Sequence, residues 1–194
     1  MRLRALLVAA VAALATAACG GDGGDAASPT TAAGGAATST STSTSLDLAA
    51  RVKTFTGLSQ AHTQDPVTYP QTPPVGGPHN PVWMNCGFYP QPVITEAAVH
   101  SLEHGAVWIT YRPGLPAGEV DTLRGLARTP HVLVSPWRDA TLPAPVVASA
   151  WGVQLTADTA GDPGVKAFVE LYANGPQAPE KGASCRGAFG TPQQ

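Results

Sequence analysis

Between Asp65 and Pro92 the chain carries eight prolines (Pro66, Pro70, Pro73, Pro74, Pro78, Pro81, Pro90 and Pro92), interleaved with Gly76, Gly77 and Gly87. Proline fixes φ, lacks an N–H and is excluded from helix interiors and central strands, so this stretch forms neither. A loop of that length inside a compact domain is uncommon and more often functional than not. Its prolines also lower the entropy lost in holding a side chain such as His79 in one place.

The regions on either side differ sharply in character. Residues 1–19 read MRLRALLVAAVAALATAAC: two arginines, an apolar run, then small residues ending at Cys19. That is the layout of an export signal, and the run is too short for a spanning helix. Thr16-Ala-Ala-Cys19 resembles a lipobox, with Thr16 where Leu is usual, which makes Cys19 the expected site of lipidation. Residues 20–45 are Gly, Ala, Ser, Thr and Asp with almost nothing to bury, and are expected to act as a flexible tether. The expected location is therefore the outer face of a cell membrane, lipid-anchored, with a possible protein partner at the cell surface. Residues 46–194 are of a size for one domain with its own core. The formal net charge is −2 and no Lys/Arg cluster occurs, which argues against nucleic acid as a partner.

Beyond the proline-rich segment, Thr95 is placed to cap a short helix, and Gly105 to end it as the C′ residue. Ala106–Tyr111 reads as a buried strand, Glu119–Arg128 as an amphipathic helix, and His131–Ser135 and Val146–Leu155 as further strands. Asp162 caps a last helix with Pro163 at its first position, running to Tyr172. Upstream, Val52, Phe55 and Leu58 suit either a short helix or an edge strand. The order implies an α+β or α/β domain: a small mixed sheet with a parallel crossover pair, a hairpin, and helices on its faces.

Four of the five histidines, His62, His79, His100 and His104, fall within one short stretch. His100 and His104 stand four residues apart on the expected helix, so their rings share one face and can converge on a single ion. His79 and His62 are the candidates to complete the set. Glu103 borders the same face as a third ligand, a hydrogen-bond acceptor for an imidazole N–H, or a base. Imidazoles without a carboxylate-rich setting favour copper or zinc over calcium or magnesium. Met84 is a softer candidate for a thioether ligand, or a core gap-filler. Trp83, Tyr89, Trp108 and Tyr111 read as pocket wall or core, and His131 as a structural residue.

With Cys19 assigned to the lipid, Cys86 and Cys185 remain in an oxidising compartment. A disulfide between them would close about 100 residues, worth up to about 4–5 kcal/mol in the chain-entropy model. The other reading makes Cys86 a thiolate metal ligand. No CxxC is present, so a dithiol redox motif is excluded.

Two strings, Tyr69-Pro-Gln-Thr-Pro-Pro-Val-Gly-Gly-Pro-His79 and Val99-His-Ser-Leu-Glu-His-Gly-Ala-Val107, together with Trp83, Gly87-Phe-Tyr89 and Tyr111, resemble domain-of-unknown-function family 3105. Its members carry PPxSGPH followed by HxLEHG, often on lipoproteins; Val75-Gly76 departs from the usual Thr-Ser. The resemblance runs from about Leu58 to Tyr172 and implies an exported domain whose pattern includes these histidines, with no activity attached.

Two further function classes compete with a metal-binding domain. His100-Ser-Leu-Glu-His104 matches the H-x-x-E-H pattern of inverted zinc peptidases, with Glu103 as the catalytic base and Glu170 or Glu180 as the ligand still needed. Gly105 directly after the motif ends the helix that those enzymes continue, so the expectation leans away from an enzyme. The other class is a metal-free protein-interaction module with the proline-rich loop as a rigid surface.

Overall fold

The computed structural model describes residues 47–193. The expected leader, Cys19 and the tether lie outside the described residues. The strands are β1 (Lys53–Thr54), β2 (Gly87–Phe88), β3 (Val107–Tyr111), β4 (Val132–Pro136), β5 (Val146–Ala150) and β6 (Val153–Ala157). The helices are α1 (Thr95–Glu103), α2 (Ala117–Leu126) and α3 (Pro163–Tyr172), preceded by a helical turn over 47–51. The fold is α+β: a single six-stranded sheet in the order β1-β6-β5-β3-β4-β2, with helices packed on it.

β3 and β4 are parallel and joined through α2, the crossover expected from the sequence. β5 pairs antiparallel with β3 on one side and with β6 on the other. The two-residue strands β1 and β2 close the edges. That β2 is short and peripheral follows from the prolines around it. Every residue of β3, β4 and β5 is buried, which suits their continuous apolar runs.

Alternation along β3 divides the core into two layers. Val107, Ile109 and Tyr111 join Leu123 of α2 and Val165 and Phe168 of α3. Trp108, on the opposite side, joins Ala97, Ala98, Val99 and Leu102 of α1 together with Met84 and Tyr89 from the proline-rich segment. The Trp108 indole N–H is satisfied by Ser135 Oγ at 3.0 Å. One layer is thus sheet against two helices, and the other is sheet against one helix and the loop.

The structure departs from the sequence reading at three places. Val146–Leu155 is not one strand. Trp151 and Gly152 turn the chain, Gly152 adopts φ +71°, and its N–H donates to the Val75 carbonyl at 2.7 Å, so the hairpin lies within this run. Thr95 is the first residue of α1 rather than its cap: Ile94 occupies the cap position without a side-chain bond, and Thr95 Oγ1 accepts from the Arg138 guanidinium. The segment around Val52 is both of its candidates in succession, a helical turn and then the edge strand β1.

The other helix ends follow the sequence. Asp162 Oδ1 accepts from Gly164 N at 2.7 Å, and Pro163 opens α3. At the end of α1, Gly105 N donates to the Leu102 carbonyl and Ala106 N to the Ser101 carbonyl, the paired bonds of a Schellman motif. Gly105 sits at φ +99°, and a Cβ there would meet the Asn174 Cα at 3.0 Å. Glycine is needed twice over at this position.

Candidate metal centre

Ser101, the first residue inside the His-x-x-x-His segment, fixes the loop to the helix. Its hydroxyl donates to the Met84 carbonyl at 2.8 Å, and its oxygen accepts from the Met84 N–H at 3.0 Å. Asn80 N donates to the Glu96 carbonyl at 3.3 Å, so the chain just after His79 is held against the first turn of α1. On its other side His79 is clasped by the segment around His62: His79 N donates to the Ala61 carbonyl (3.0 Å) and Thr63 N to the His79 carbonyl (2.7 Å). The sequence-distant pair His62 and His79 thereby becomes a two-residue parallel bridge beside α1.

The four histidine rings lie side by side. Ring centroids lie 4.9 Å apart for His62 and His79, 4.9 Å for His79 and His100, and 4.5 Å for His100 and His104. His62 and His100 stack at 5.0 Å with ring planes 6° apart. Glu103 enters the same space: its Oε2 is 2.9 Å from His79 Nε2 and 3.7 Å from His62 Nε2. Glu180 reaches His104 Nε2 at 3.3 Å from the C-terminal segment. His79 and Glu103 are almost fully buried, at 0% and 2% side-chain exposure, whereas His62 and Glu180 lie at the rim, at 47% and 51%.

Three rings share one arrangement. Each has Nδ1 against a backbone carbonyl: His79 at Gly77 (2.8 Å), His100 at Asn80 (2.6 Å) and His104 at Ser184 (2.6 Å). A carbonyl can only accept, so each Nδ1 carries a proton, and in the neutral ring the lone pair sits on Nε2. Those lone pairs point inward: His100 Nε2 lies 2.9 Å from His104 Nε2, and His79 Nε2 lies 2.9 Å from the Glu103 carboxylate. Two acceptors at that distance repel unless a cation, either a proton or a metal ion, lies between them. Burial is the main force lowering the His100 pKa to about 4, opposed by its bond to Asn80 and assisted by His104, His79 and His62; the ring is therefore neutral at pH 7.

Ligand atoms from His62, His79, His100 and Glu103 all lie within 4.8 Å of one another, as do those of His100, His104 and Glu180. These groups can hold a metal ion. Imidazoles fixed through Nδ1 by backbone carbonyls, with a carboxylate beside them, are donors suited to that task.

Cys86 and Cys185 are disulfide-bonded, with Cα atoms 5.4 Å apart, so Cys86 is not a thiolate ligand. The bridge ties the C-terminal segment to the proline-rich loop itself, and Cys86 N donates to the Cys185 carbonyl at 2.8 Å. Ser184, whose carbonyl orients His104, is the neighbouring residue. Glu180 N in turn donates to the Glu103 carbonyl at 3.0 Å.

Trp83 packs at a tilt against the site, its ring 4.8 Å from the His104 ring and 5.8 Å from that of His100. Trp108, Tyr89 and Met84 belong to the apolar cluster beneath, and Tyr111 to the opposite layer. Burial pushes the Tyr89 hydroxyl up to about 12. His131 stands apart from the cluster at φ +58°, with Nε2 donating to the Ala183 carbonyl. Glu170 pairs with Lys166 on the exposed side of α3, leaving Glu180 as the downstream glutamate at the site. Sequence reasoning passed over the carbonyls of Gly77, Asn80 and Ser184; the one signal for them was that Ser184 adjoins Cys185.

Among the described residues, no helix is long and apolar enough to cross a membrane. No curated protein and no solved structure matches the chain. A family model does match, over residues 60–187, a span that begins just before His62 and ends just after Cys185 and so contains every residue of the cluster; the chain belongs to the family of proteins of unknown function DUF3105.

Proposed function

We propose that this is a transition-metal-binding domain that takes copper or zinc through His62, His79, His100 and His104, with Glu103 as an additional carboxylate ligand. The observation that carries the reading is the shared tautomer of His79, His100 and His104. Three backbone carbonyls fix the Nδ1 protons, and the Nε2 lone pairs so directed face one another and a buried carboxylate. Such an arrangement is stabilised by a cation and strained without one. Cys19 lipidation and the tether would place the domain at the outer face of a membrane, in a role of sensing, storage or delivery.

The test is thermal unfolding of chelator-treated protein with and without added copper or zinc. Melting temperature rises in the parent and rises less in His100→Ala and His104→Ala. Equal curves for the parent in all conditions overturn the proposal.

One observation favours a second reading, an H-x-x-E-H zinc hydrolase. Glu180 meets His100 and His104 in one ligand group of two histidines and a glutamate, the set that such an enzyme uses. Under that reading Glu103→Gln removes hydrolysis of a peptide substrate while leaving the metal bound. The engagement of Glu103 with His79 and His62 weighs for binding over catalysis.

A further inference from the structure

We infer that the cluster is built for two metal ions: one held by His62, His79 and Glu103, the other by His100, His104 and Glu180. This rests on the metal-binding reading above and extends it.

The ligand atoms fall into two groups rather than one, with His100 common to both. Ligands on a first-row ion at about 2.0–2.1 Å stand no more than about 4.2 Å apart even on opposite sides, so a set that does not close within 4.8 Å cannot serve a single ion. His100 cannot serve two ions either. Its Nδ1 is committed to the Asn80 carbonyl at 2.6 Å, so only the Nε2 lone pair is left to coordinate.

Its contact with His104 assigns it to the second ion. His100 Nε2 is 2.9 Å from His104 Nε2, the separation of two ligands about 2.0–2.1 Å from one ion at a right angle. Glu180 Oε2, at 3.3 Å from His104 Nε2, is spaced for the next corner. With His100 so assigned, His62, His79 and Glu103 remain together, and His79 Nε2 to Glu103 Oε2 is again 2.9 Å.

The division gives each ion the same donors, two neutral imidazoles and one carboxylate. Three protein ligands leave positions open on each ion for water or a small anion. The halves are also mechanically joined. His62 of one stacks on His100 of the other with ring planes 6° apart, and the Glu180 N–H is bonded to the Glu103 carbonyl.

Zinc per chain provides the test. Full-length protein, stripped with chelator, reloaded with excess zinc and desalted, is measured by elemental mass spectrometry. Two zinc ions per parent chain are expected, falling to one in Glu180→Gln and to one in His62→Gln. Both substitutions are at rim residues, and circular dichroism confirms that each variant is folded. One zinc in the parent overturns the two-ion division while leaving metal binding intact. Two retained by Glu180→Gln, or both lost from it, overturns the assignment of Glu180 to a separate ion. No zinc on the parent overturns the metal reading and this inference together.

Discussion

The two layers of this domain bury comparable side chains for different ends. On the α2/α3 side the sheet meets Leu123, Val165 and Phe168 in an apolar cluster, and a charged pair, Arg51 with Asp162, stands at its margin. On the α1 side a similar apolar floor of Trp108, Leu102 and Val147 carries above it buried imidazoles and a buried carboxylate. Burying polar groups costs stability unless they are paired, and the pairs here include acceptors facing acceptors. The first layer is arranged to fold; the second also carries the side chains that could hold a metal ion. That difference can be attacked one layer at a time.

The largest effect belongs to the apolar layer. Phe168 is fully buried, and Phe168→Ala is expected to cost about 3–5 kcal/mol in urea unfolding. Zinc per chain in the fraction that stays folded should be unchanged, since Phe168 belongs to the other layer. Loss of metal in a folded Phe168→Ala protein would erase the division between layers.

Next comes the disulfide. Cys86→Ser with Cys185→Ser is expected to lose about 2–4 kcal/mol, within the usual range for a long closed loop. This change should also weaken metal binding, because the bridge fixes the segment that presents the Ser184 carbonyl to His104 and Glu180 to the cluster. A calorimetric titration with zinc separates the two losses. Unchanged affinity would mean that Glu180 N on the Glu103 carbonyl holds the segment unaided.

A smaller effect is expected at Ser101. Ser101→Ala removes a hydroxyl that both accepts from and donates to Met84, at a cost of about 1–3 kcal/mol, chiefly for the Met84 carbonyl, since the Met84 N–H keeps the Ala97 carbonyl at 3.1 Å. Because this hydroxyl docks the loop bearing His79 and Asn80 on α1, zinc affinity should fall as well. The same titration checks it, and Ser101→Thr should restore part of the loss if the hydroxyl is what matters.

These contacts mark where the sequence could be read and where it could not. His100 and His104 were legible because helical spacing alone puts them on one face, and Gly105 because a helix end requires a left-handed residue. The crossover from β3 through α2 to β4 followed from the order of elements. The turn at Trp151–Gly152 was hidden inside an apolar run without proline or asparagine, and what fixes it is a bond to Val75, eighty residues upstream by approximate count. Thr95 looked like a cap because threonine favours that position, yet Arg138 takes its hydroxyl. The backbone carbonyls that orient three rings leave no trace in residue identity. Any residue has a carbonyl, and only tertiary structure places those of Gly77, Asn80 and Ser184.

The most discriminating prediction is that the two layers titrate in different windows. Asp162 is held below the usual carboxylate range, first by its hydrogen bond to Arg51, so its contribution is present above the unfolded carboxylate pKa of about 3.9 and is lost as pH falls further. His100 is depressed from 6.5 to about 4, so between those values the unfolded chain binds a proton that the native ring refuses. Its contribution is therefore complete above about 6.5 and drains away as pH falls toward 4. Urea unfolding of chelator-treated protein from pH 8 to pH 3 should show one decline beginning near pH 6.5 and a second below about 4. Asp162→Asn should flatten only the lower limb and His100→Phe only the upper. A single decline confined to the carboxylate range would show that His100 is not held neutral by its surroundings, and would remove the electrostatic contrast between the layers.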